Sequence, residues 1–486
     1  MSDDNKVTYD ALFIGGQWVA PSTSRRIEVC SASTEEPLGT VAAAEATDVD
    51  WAVAAARQAF DDPQGWAHWE PSRRAEKLGR FADELVARAD SIARAVSSQN
   101  GMPIRISRQT EAKVPATLLR YYADLVRCND IEERRASLVT GTTLVRQESI
   151  GVVGAVVPWN FPQTLSFFKL APALAAGCTV VLKPSSETVL DAMLVAEAAL
   201  AAELPPGVLN IVPGSGRGAG AHLVAHPGVD KVAFTGSTGA GRTIAEACAR
   251  LLRPVTLELG GKSAGIILDD VDLSVAMKGM FASTLLNQGQ SCYISTRILA
   301  PRKRYREIVD AFTALASSLP IGDALDPATV IGPLASARQR EVVEGYIAKG
   351  IAEGGTITTG GNRPRGRDKG WFVEPTIFAD IDNDATIARE EIFGPVLAVI
   401  PYDTVDDAVR IANDSEFGLG GTVWTSDPGR GLDVARRVQT GSVGVNGFTM
   451  DHGAPFGGVK SSGLGRELGP EGLLAYQSTK SIYLPA

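Results

Sequence analysis

The stretch that decides the fold is residues 151–184, which read GVVGAVVPWNFPQTLSFFKLAPALAAGCTVVLKP. Val152–Val157 is a short β-branched run typical of a buried strand, and Thr179–Leu182 is a second such run. Between them, Lys169–Ala176 is apolar with a helical period. A strand, a helix and a strand at this spacing are typical of a βαβ unit, whose two strands lie parallel in one sheet.

The same alternation continues outward along the chain. Residues 1–50 predict short strands and turns, and residues 48–127 predict helices. Further strands of the first set are predicted at Leu209–Val212, Lys231–Phe234, Val255–Leu257 and Ala264–Leu268. A second set is predicted near Ile298–Ala300, Val396–Val399, Thr422–Trp424 and Val443–Val445. The fold class that this pattern predicts is α/β with buried parallel sheet.

Composition excludes several classes of protein. The chain has 486 residues, with 47 basic and 56 acidic side chains, a net charge of −9 and a pI near 5.2. Its hydrophobic content of 44% excludes an intrinsically disordered chain, and its acidity argues against a nucleic-acid binder. At roughly 150 residues per domain, the length predicts about three domains.

Cysteine and histidine usage predicts neither a disulfide framework nor a metal site. The five cysteines are odd in number and form no CxxC pair, and the four histidines form no HExxH motif. The N-terminal residues Met1–Lys6 lack the apolar segment of a signal peptide, and no apolar run is long enough to span a membrane. These features predict a cytoplasmic protein.

Two glycine-containing segments are candidates for binding a nucleotide. Gly214–Ala219 matches the pattern GxGxxG/A, but the acidic residue that should follow the next strand instead precedes it, as Asp230. We interpret this segment as a glycine-rich turn at the edge of a nucleotide site. Phe234–Ser237 is the stronger candidate, because a strand ends there and a helix begins at about Ser237, where backbone N–H groups favour a phosphate. On these residues alone, a well-capped helix explains Ser237 equally well.

Four side chains are candidates for catalysis. Cys292 lies among Gly, Gln and Ser rather than in an apolar run, which suits a nucleophilic thiolate better than a core cysteine. Glu258 ends a buried strand, where an acid is costly unless it is paired or functional. Asn160 presents an amide at a strand end between two prolines, which suits an oxyanion site or simply a rigid turn. Glu391 fits a functional acid and a solvated helix-end acid equally well.

At these residues the chain resembles the aldehyde dehydrogenase superfamily. Seven segments resemble that family's motifs in the right order: Pro158–Pro162, Lys183–Ser185, Phe234–Ser237, Glu258–Lys262, Gln288–Cys292, Glu391–Val396 and Pro455–Gly458. The resemblance implies two Rossmann-like parallel-sheet domains and a small β arm that pairs subunits into a homodimer or homotetramer. It implies a division into a cofactor domain (1–126 and 149–260), a catalytic domain (261–460) and an arm (127–148 and 470–486).

The resemblance also implies an activity, the oxidation of an aldehyde to its acid with NAD(P). Cys292 matches the family nucleophile, Glu258 the general base that activates the hydrolytic water, and Asn160 the oxyanion-hole amide. Lys169 and Glu467 match two charged positions near the site that are often assigned to proton relay. The implied intermediates are a thiohemiacetal and then a thioester on Cys292.

For the cofactor, the resemblance places Lys183 at the adenosine ribose, Ser237 at the pyrophosphate and Glu391 at the nicotinamide ribose. The cofactor-binding residues that it implies are Trp159, Lys183, Ser185, Gly216, Gly220, Phe234, Gly236, Ser237, Leu259, Glu391 and Phe393. Many NAD-preferring members have a glutamate three residues after the lysine, where this chain has Ser186, with Glu187 one residue later. We expect NAD, with NADP as the alternative.

The residues do not determine which aldehyde is the substrate, and they leave three alternative functions open. Phe448, Met450, Tyr293 and Phe167 suggest an apolar or aromatic substrate, and ordinary packing explains each of them as well. The alternatives are a CoA-acylating aldehyde dehydrogenase, a non-redox esterase and a non-enzymatic family member. CoA-acylating relatives usually lack the glutamate seen here at Glu258, and a structural role needs none of the candidate catalytic side chains.

Overall fold

The computed structural model describes residues 6–128 and 131–485. The predicted polar N-terminus, apart from Lys6, lies outside these residues. The strands are β1 (Val7–Tyr9), β2 (Leu12–Ile14), β3 (Gln17–Val19), β4 (Arg26–Cys30), β5 (Pro37–Ala42), β6 (Glu132–Ala136), β7 (Thr142–Ser149), β8 (Val152–Val156), β9 (Thr179–Lys183), β10 (Leu209–Ile211), β11 (Lys231–Thr235), β12 (Val255–Glu258), β13 (Ser263–Ile267), β14 (Ser295–Pro301), β15 (Thr356–Thr359), β16 (Thr376–Ala379), β17 (Val396–Tyr402), β18 (Gly421–Trp424), β19 (Gly444–Val445), β20 (Gly463–Leu464) and β21 (Gln477–Leu484).

Sixteen α-helices are present in the described residues. They are α1 (Ala46–Asp61), α2 (Pro71–Ala87), α3 (Ala89–Asn100), α4 (Ile104–Gln109), α5 (Val114–Cys128), α6 (Pro162–Ala176), α7 (Leu190–Ala201), α8 (Ala221–Ala225), α9 (Thr238–Arg250), α10 (Leu273–Thr284), α11 (Tyr305–Ser318), α12 (Ala337–Ala352), α13 (Thr386–Arg389), α14 (Val405–Asn413), α15 (Pro428–Ala435) and α16 (Gly469–Leu474). No helix in the described ranges is long and apolar enough to cross a membrane.

The first sheet has eight strands in the order β20-β12-β11-β8-β9-β10-β2-β3. Its five central strands, β8 to β12, are parallel; β20 and β2 run antiparallel to them, and the edge strand β3 runs antiparallel to β2. Helix α6 connects β8 to β9 and is buried along its whole length, since it is apolar nearly all round. It ends at Gly177, whose φ of 91° forms a left-handed cap. The βαβ unit predicted from residues 151–184 is therefore present.

The second sheet has seven strands in the order β15-β16-β17-β14-β13-β18-β19, all parallel except for β15. Strands β15 and β16 were not expected from the sequence. Strand β13 was expected at residues 264–268 but was grouped with the first set of strands, whereas it pairs with β14 and β18 in this second sheet. Apolar clusters lie on both faces of this sheet, as expected for buried parallel strands.

Two small sheets complete the fold. One has the order β1-β5-β4, and the other, β21-β7-β6, is an antiparallel arm in which β21 pairs with β7 over all eight residues. The first large sheet draws on residues 12–19, 152–258 and 463–464, and the second on residues 263–445. The division into domains stays a prediction.

Candidate active site

The carboxyl ends of three neighbouring strands open into one cleft. Asn160 follows β8, Ser237 follows β11, and Glu258 ends β12, where it lies opposite Thr235 in the register. Cys292 and Glu391 enter the cleft from the side of the second sheet. The cleft has a volume of about 380 Å³ and lies at the strand ends where open parallel sheets bind ligands.

Cys292 and Glu258 lie close enough to influence each other's ionisation. Cys292 is partly exposed in a turn, whereas Glu258 is buried and neither of its carboxyl oxygens has a hydrogen-bond partner in the described chain. Although part of the residue is exposed, burial around its sulfur raises the pKa of the Cys292 thiol well above its usual value, and the charge of Glu258 raises it further. Burial and the charge of Glu467 likewise raise the pKa of Glu258. An unpartnered, buried carboxyl beside a thiol is suited to taking a proton from a reacting group.

The loop that carries the nucleophile has an unusual backbone. Asn287, Gln288 and Gly289 all have positive φ, at 51°, 54° and 76°. The Gln288 side chain holds the loop by donating hydrogen bonds of 3.0 Å to the carbonyls of Gly101 and Pro333. Such a left-handed run is strained, and the buried amide contacts keep it in place.

Asn160 is fixed by contacts on both its side chain and its backbone. Its Nδ2 donates to the carbonyl of Gln290 at 3.0 Å, two residues before Cys292. Its own carbonyl accepts from Asn100 Nδ2 at 3.2 Å and from Asn287 Nδ2 at 3.0 Å. The second hydrogen of Nδ2 remains for a substrate oxygen in the cleft, which is what an oxyanion site needs.

Lys169 and Glu467 form a fully buried ion pair behind the cleft, at 2.8 Å. Lys169 Nζ also donates to Thr235 Oγ1 at 2.6 Å, and Thr235 lines the cleft. The two charges act on Glu258 in opposite directions, since Glu467 raises its pKa and Lys169 lowers it. The structure therefore brings both residues to the site, although neither lines the cleft itself.

The outer part of the cleft is lined by Gly236, Ser237 and Trp159. Ser237 is the N-cap of α9 and accepts a hydrogen bond from Ala240 N–H at 3.4 Å. Only glycine fits at position 236, because a Cβ there would lie 2.4 Å from the ring of Phe234. Because Gly236 and Ser237 line the cleft, the N-terminus of α9, which favours an anionic group, lies at the cleft wall.

Glu391, Phe393 and Leu259 also line the cleft. Glu391 accepts a hydrogen bond from Gly261 N–H at 3.0 Å, and burial raises its pKa to about 7. The rings of Phe393 and Trp159 meet edge to face, with centroids 5.3 Å apart. A nucleotide sugar bound between these walls would find a carboxyl acceptor at Glu391.

The remaining predicted cofactor residues lie together beside the cleft rather than in its wall. Lys183 Nζ is buried and donates to Gly214 O at 3.1 Å, and its side chain packs against Gly220. The remaining members of this group are Ser185 and Gly216. Residues 216–220 form a single π-helical turn, so the GxGxxG-like segment is indeed a turn and not the start of a long helix. Phe234 is a core residue that shapes Gly236.

Aromatic side chains lie on the other side of Cys292. Tyr293 stacks on Phe448 with ring centroids 4.7 Å apart, and Phe456 meets Tyr293 edge to face. Phe448 and Met450 line a second, smaller cavity of about 170 Å³. Phe167, by contrast, is fully buried and packs against Phe81, so its assignment to a substrate pocket was wrong.

Sequence reasoning missed several residues of the cleft. Ser336, Arg338 and Gln339 line it from the start of α12, where only the N-cap serine offered a signal. Glu187 also lines it and accepts a hydrogen bond from Ser185. Within residues 6–128 and 131–485, no three His, Cys, Asp or Glu side chains are grouped so as to hold a metal ion.

Comparisons with known sequences and structures all point to one protein family. The model of the aldehyde dehydrogenase family matches residues 18–482. A geranial dehydrogenase from Castellaniella defragrans is 57% identical over 98% of this chain and 99% of its own length. A Mycobacterium tuberculosis aldehyde dehydrogenase complexed with NAD+ is 48% identical, with a TM-score of 0.96 over 99% of both chains. A mutant aldehyde dehydrogenase from Pseudomonas syringae, complexed with NAD+ and octanal, is 40% identical, with a TM-score of 0.94 over 99% of this chain and 97% of that one.

Proposed function

The chain belongs to the aldehyde dehydrogenase family and oxidises an aldehyde to its carboxylic acid, and we propose that Cys292, Glu258 and Asn160 carry out that oxidation. The family and the α/β fold class predicted from the sequence are confirmed. The assignment of residues rests on one observation: a thiol, an unpartnered carboxyl and a free amide hydrogen meet in the same cleft.

In the first step, the thiol of the partly exposed Cys292 gives its proton to water, and the thiolate sulfur forms a bond to the aldehyde carbon as the C=O π electrons move to oxygen. The carbonyl oxygen becomes an alkoxide, and Asn160 Nδ2 and the Cys292 backbone N–H stabilise its charge. Loss of one such donor typically reduces kcat by about 10²–10³-fold. The alkoxide makes the carbon a good hydride donor, whereas a free aldehyde is a poor one.

Bound NAD supplies the hydride acceptor. The residues of the outer cleft fit such a group. The N-terminus of α9 at Ser237 favours a phosphate, and the Glu391 carboxyl can accept a hydrogen bond from a ribose hydroxyl. We assign the Ser237 end of α9 to the pyrophosphate, Glu391 to the nicotinamide ribose and Lys183 to the adenosine end. Trp159 and Phe393 wall the cleft between these positions.

The second step hydrolyses the thioester left on Cys292. Glu258 takes a proton from the attacking water, a role that contributes roughly 10²–10⁴-fold. Burial and the charge of Glu467 raise the pKa of Glu258, so its carboxylate holds a proton more readily than an exposed glutamate does, as a general base requires. Lys169 and Glu467, buried directly behind Glu258, tune its charge.

The deciding experiment measures NADH formation with aliphatic and aromatic aldehydes for the wild type and for Cys292→Ala. We expect the variant to lose turnover while it still binds NAD in a calorimetric titration. Cys128→Ala, which removes an exposed thiol at the end of α5, is the matched control and keeps full turnover. Turnover retained by Cys292→Ala excludes this cysteine as the nucleophile, and turnover that requires added CoA identifies the acylating alternative.

For the aldehyde, we propose an apolar substrate. The stacked Tyr293 and Phe448, with Met450 and Phe456, give the substrate side of Cys292 an apolar surface. The geranial dehydrogenase and the octanal complex among its relatives act on or bind aldehydes of this kind. Apolar pockets discriminate single methylenes only by about 10–200-fold. A panel of chain lengths therefore tests the proposal, and a preference for a charged aldehyde contradicts it.

We further propose a cytoplasmic homodimer or homotetramer. All five cysteines are free, which fits a reducing compartment. The arm strands β6, β7 and β21 form an isolated antiparallel sheet whose long edges are available for another subunit. Light scattering measures the mass directly, and a monomer contradicts the proposed assembly.

A further inference from the structure

A buried carboxylate outside the cleft holds the start of helix α6. Glu111 lies in the turn between α4 and α5 and is completely buried. Its Oε2 accepts hydrogen bonds from the backbone N–H of Gln163 at 2.8 Å and of Thr164 at 3.3 Å. Its Oε1 accepts a hydrogen bond from Thr164 Oγ1 at 2.5 Å. All three donors belong to the first turn of α6.

Helix α6 has no cap of its own. Phe161, its N-cap residue, makes no side-chain capping bond, and Pro162 at the first position has no N–H to satisfy. The next two N–H groups, of Gln163 and Thr164, are buried, and an unpaired N–H group is costly there. Glu111 therefore supplies, from 52 residues away in sequence, the cap that the helix lacks.

The first turn of α6 is joined directly to the oxyanion amide. Asn160 lies two residues before Pro162, and its carbonyl accepts hydrogen bonds from Asn100 and Asn287. Because only Phe161 separates Asn160 from the turn, a tilt of the turn strains the hydrogen bonds that join Asn160 to Asn287 and Gln290 of the Cys292 loop. We propose that Glu111 is a positioning residue for aldehyde oxidation, which acts by holding Asn160 at the reacting oxygen. This inference rests on the function proposed above for Asn160.

A second buried acid continues the same scaffold. Asp191 accepts hydrogen bonds from Gln163 Nε2 at 2.6 Å and from Gln99 Nε2 at 3.0 Å. Gln99 Oε1 in turn accepts from the N–H groups of Val189 and Leu190 at the start of α7. Burial raises the pKa of Glu111 to about 7 and that of Asp191 to about 6. The start of α6 is therefore anchored through side chains as well as through its backbone.

The test is a double-mutant cycle with Glu111→Ala, Asn160→Ala and the variant that carries both substitutions. We expect Glu111→Ala to lower kcat by about 10–100-fold, as for a displacement of about 1 Å at a reacting group. The Michaelis constant for NAD and the calorimetric affinity for NAD should stay within about twofold of the wild-type values, since Glu111 does not line the cleft. In the Asn160→Ala background, the same substitution should cost less than about threefold.

Two further variants separate positioning from general stability. Glu111→Gln keeps one acceptor oxygen in the same place and should recover most of the lost kcat. Asp48→Ala removes another fully buried acid that serves a helix start, where it accepts from Ser22 and from Glu45 N–H. It should lower thermal stability without lowering kcat.

The outcomes distinguish a failure of the oxyanion role of Asn160 from a failure of the positioning role of Glu111. An unchanged kcat in Asn160→Ala refutes the oxyanion role and the inference with it. An impaired Asn160→Ala with an unimpaired Glu111→Ala refutes the inference alone. Effects of Glu111→Ala that are equally large in both backgrounds also refute it, because the acid then acts independently of Asn160. Should Glu111→Ala not fold, the cycle built with Glu111→Gln decides the same question.

Discussion

Replacing Gly260 by alanine tests the cofactor end of the cleft with a change of one methyl group. A Cβ at this position would lie 2.3 Å from Oε2 of Glu391 and 2.9 Å from its Cδ. Ordinary contact begins at 3.4 Å, so the carboxyl must retreat by about 1.1 Å. Gly260 does not have a positive φ, so the backbone itself accepts alanine.

This retreat breaks the hydrogen bond from Gly261 N–H to Glu391 and withdraws the carboxyl from the proposed ribose position. A hydrogen bond to a charged group contributes about 1.5–3 kcal/mol. We therefore expect Gly260→Ala to raise the dissociation constant for NAD by about 10–150-fold. Once NAD is saturating, kcat should change much less, because Cys292 and Asn160 remain in place.

The assay is a titration with NAD, followed by tryptophan fluorescence, to which Trp159 in the cleft contributes, and by calorimetry. Gly345→Ala is the control, since a Cβ at this position on α12 meets no atom within 4 Å. NAD affinity that is unchanged in Gly260→Ala refutes the placement of Glu391 at the cofactor. Equal losses in both variants would show that the steric reasoning is wrong.

Three further predictions concern charged groups of the cleft. Glu258→Gln should keep the initial burst of NADH but lose steady-state turnover by about 10²–10⁴-fold. Rapid-mixing absorbance measures both quantities, and a missing burst would mean that Glu258 acts before hydride transfer. Burial raises the pKa of Glu391 from 4.5 to about 7, so the protonated form stabilises the fold at low pH and this contribution is lost as the pH rises through about 7. Glu391→Gln should therefore gain stability relative to wild type at pH 8 but not at pH 5 in urea titrations, and a constant difference contradicts the shift. Glu187→Ser should weaken NAD binding by about tenfold and improve the NADP/NAD ratio, whereas an unchanged ratio removes Glu187 from cofactor discrimination.

Local patterns predicted the five parallel strands of the first sheet and its central helix because each element there has one clear period. Residues 152–157 and 179–182 are β-branched runs, and α6 is apolar nearly all round, as expected for a helix enclosed in a core. The strands β15 and β16 were not predicted, because four residues beside a glycine-rich loop carry too little periodic signal.

Candidate site residues were predictable where the local setting is unusual. Cys292 lies among small polar residues, and Glu258 ends a buried strand, so both are conspicuous in the sequence alone. The pairing of Lys169 with Glu467 spans 298 positions, and only the family resemblance placed the two together. The assignment of these residues to catalysis and cofactor binding stays a prediction that the variants above test.

Burial of polar residues was the least predictable feature. Glu111 is one of several charged residues in a polar segment, and nothing local indicates that its carboxylate meets the start of a helix far along the chain. For Phe167 the error was the reverse. An aromatic residue near Lys169 suggested a pocket-lining side chain, but this side chain is buried in the core. Both outcomes depend on tertiary packing, which spacing alone does not encode.

The late position of β20, Glu467 and β21 in the chain has a consequence for biosynthesis. Strand β20 covers the edge of the first sheet beside β12, Glu467 neutralises the buried Lys169, and β21 pairs with β7. A ribosome makes all three partners at least 200 residues before these segments emerge. Until then the nascent chain carries two open sheet edges and an uncompensated interior charge, so it is both inactive and prone to aggregate. We expect holding chaperones to engage it at this stage of translation.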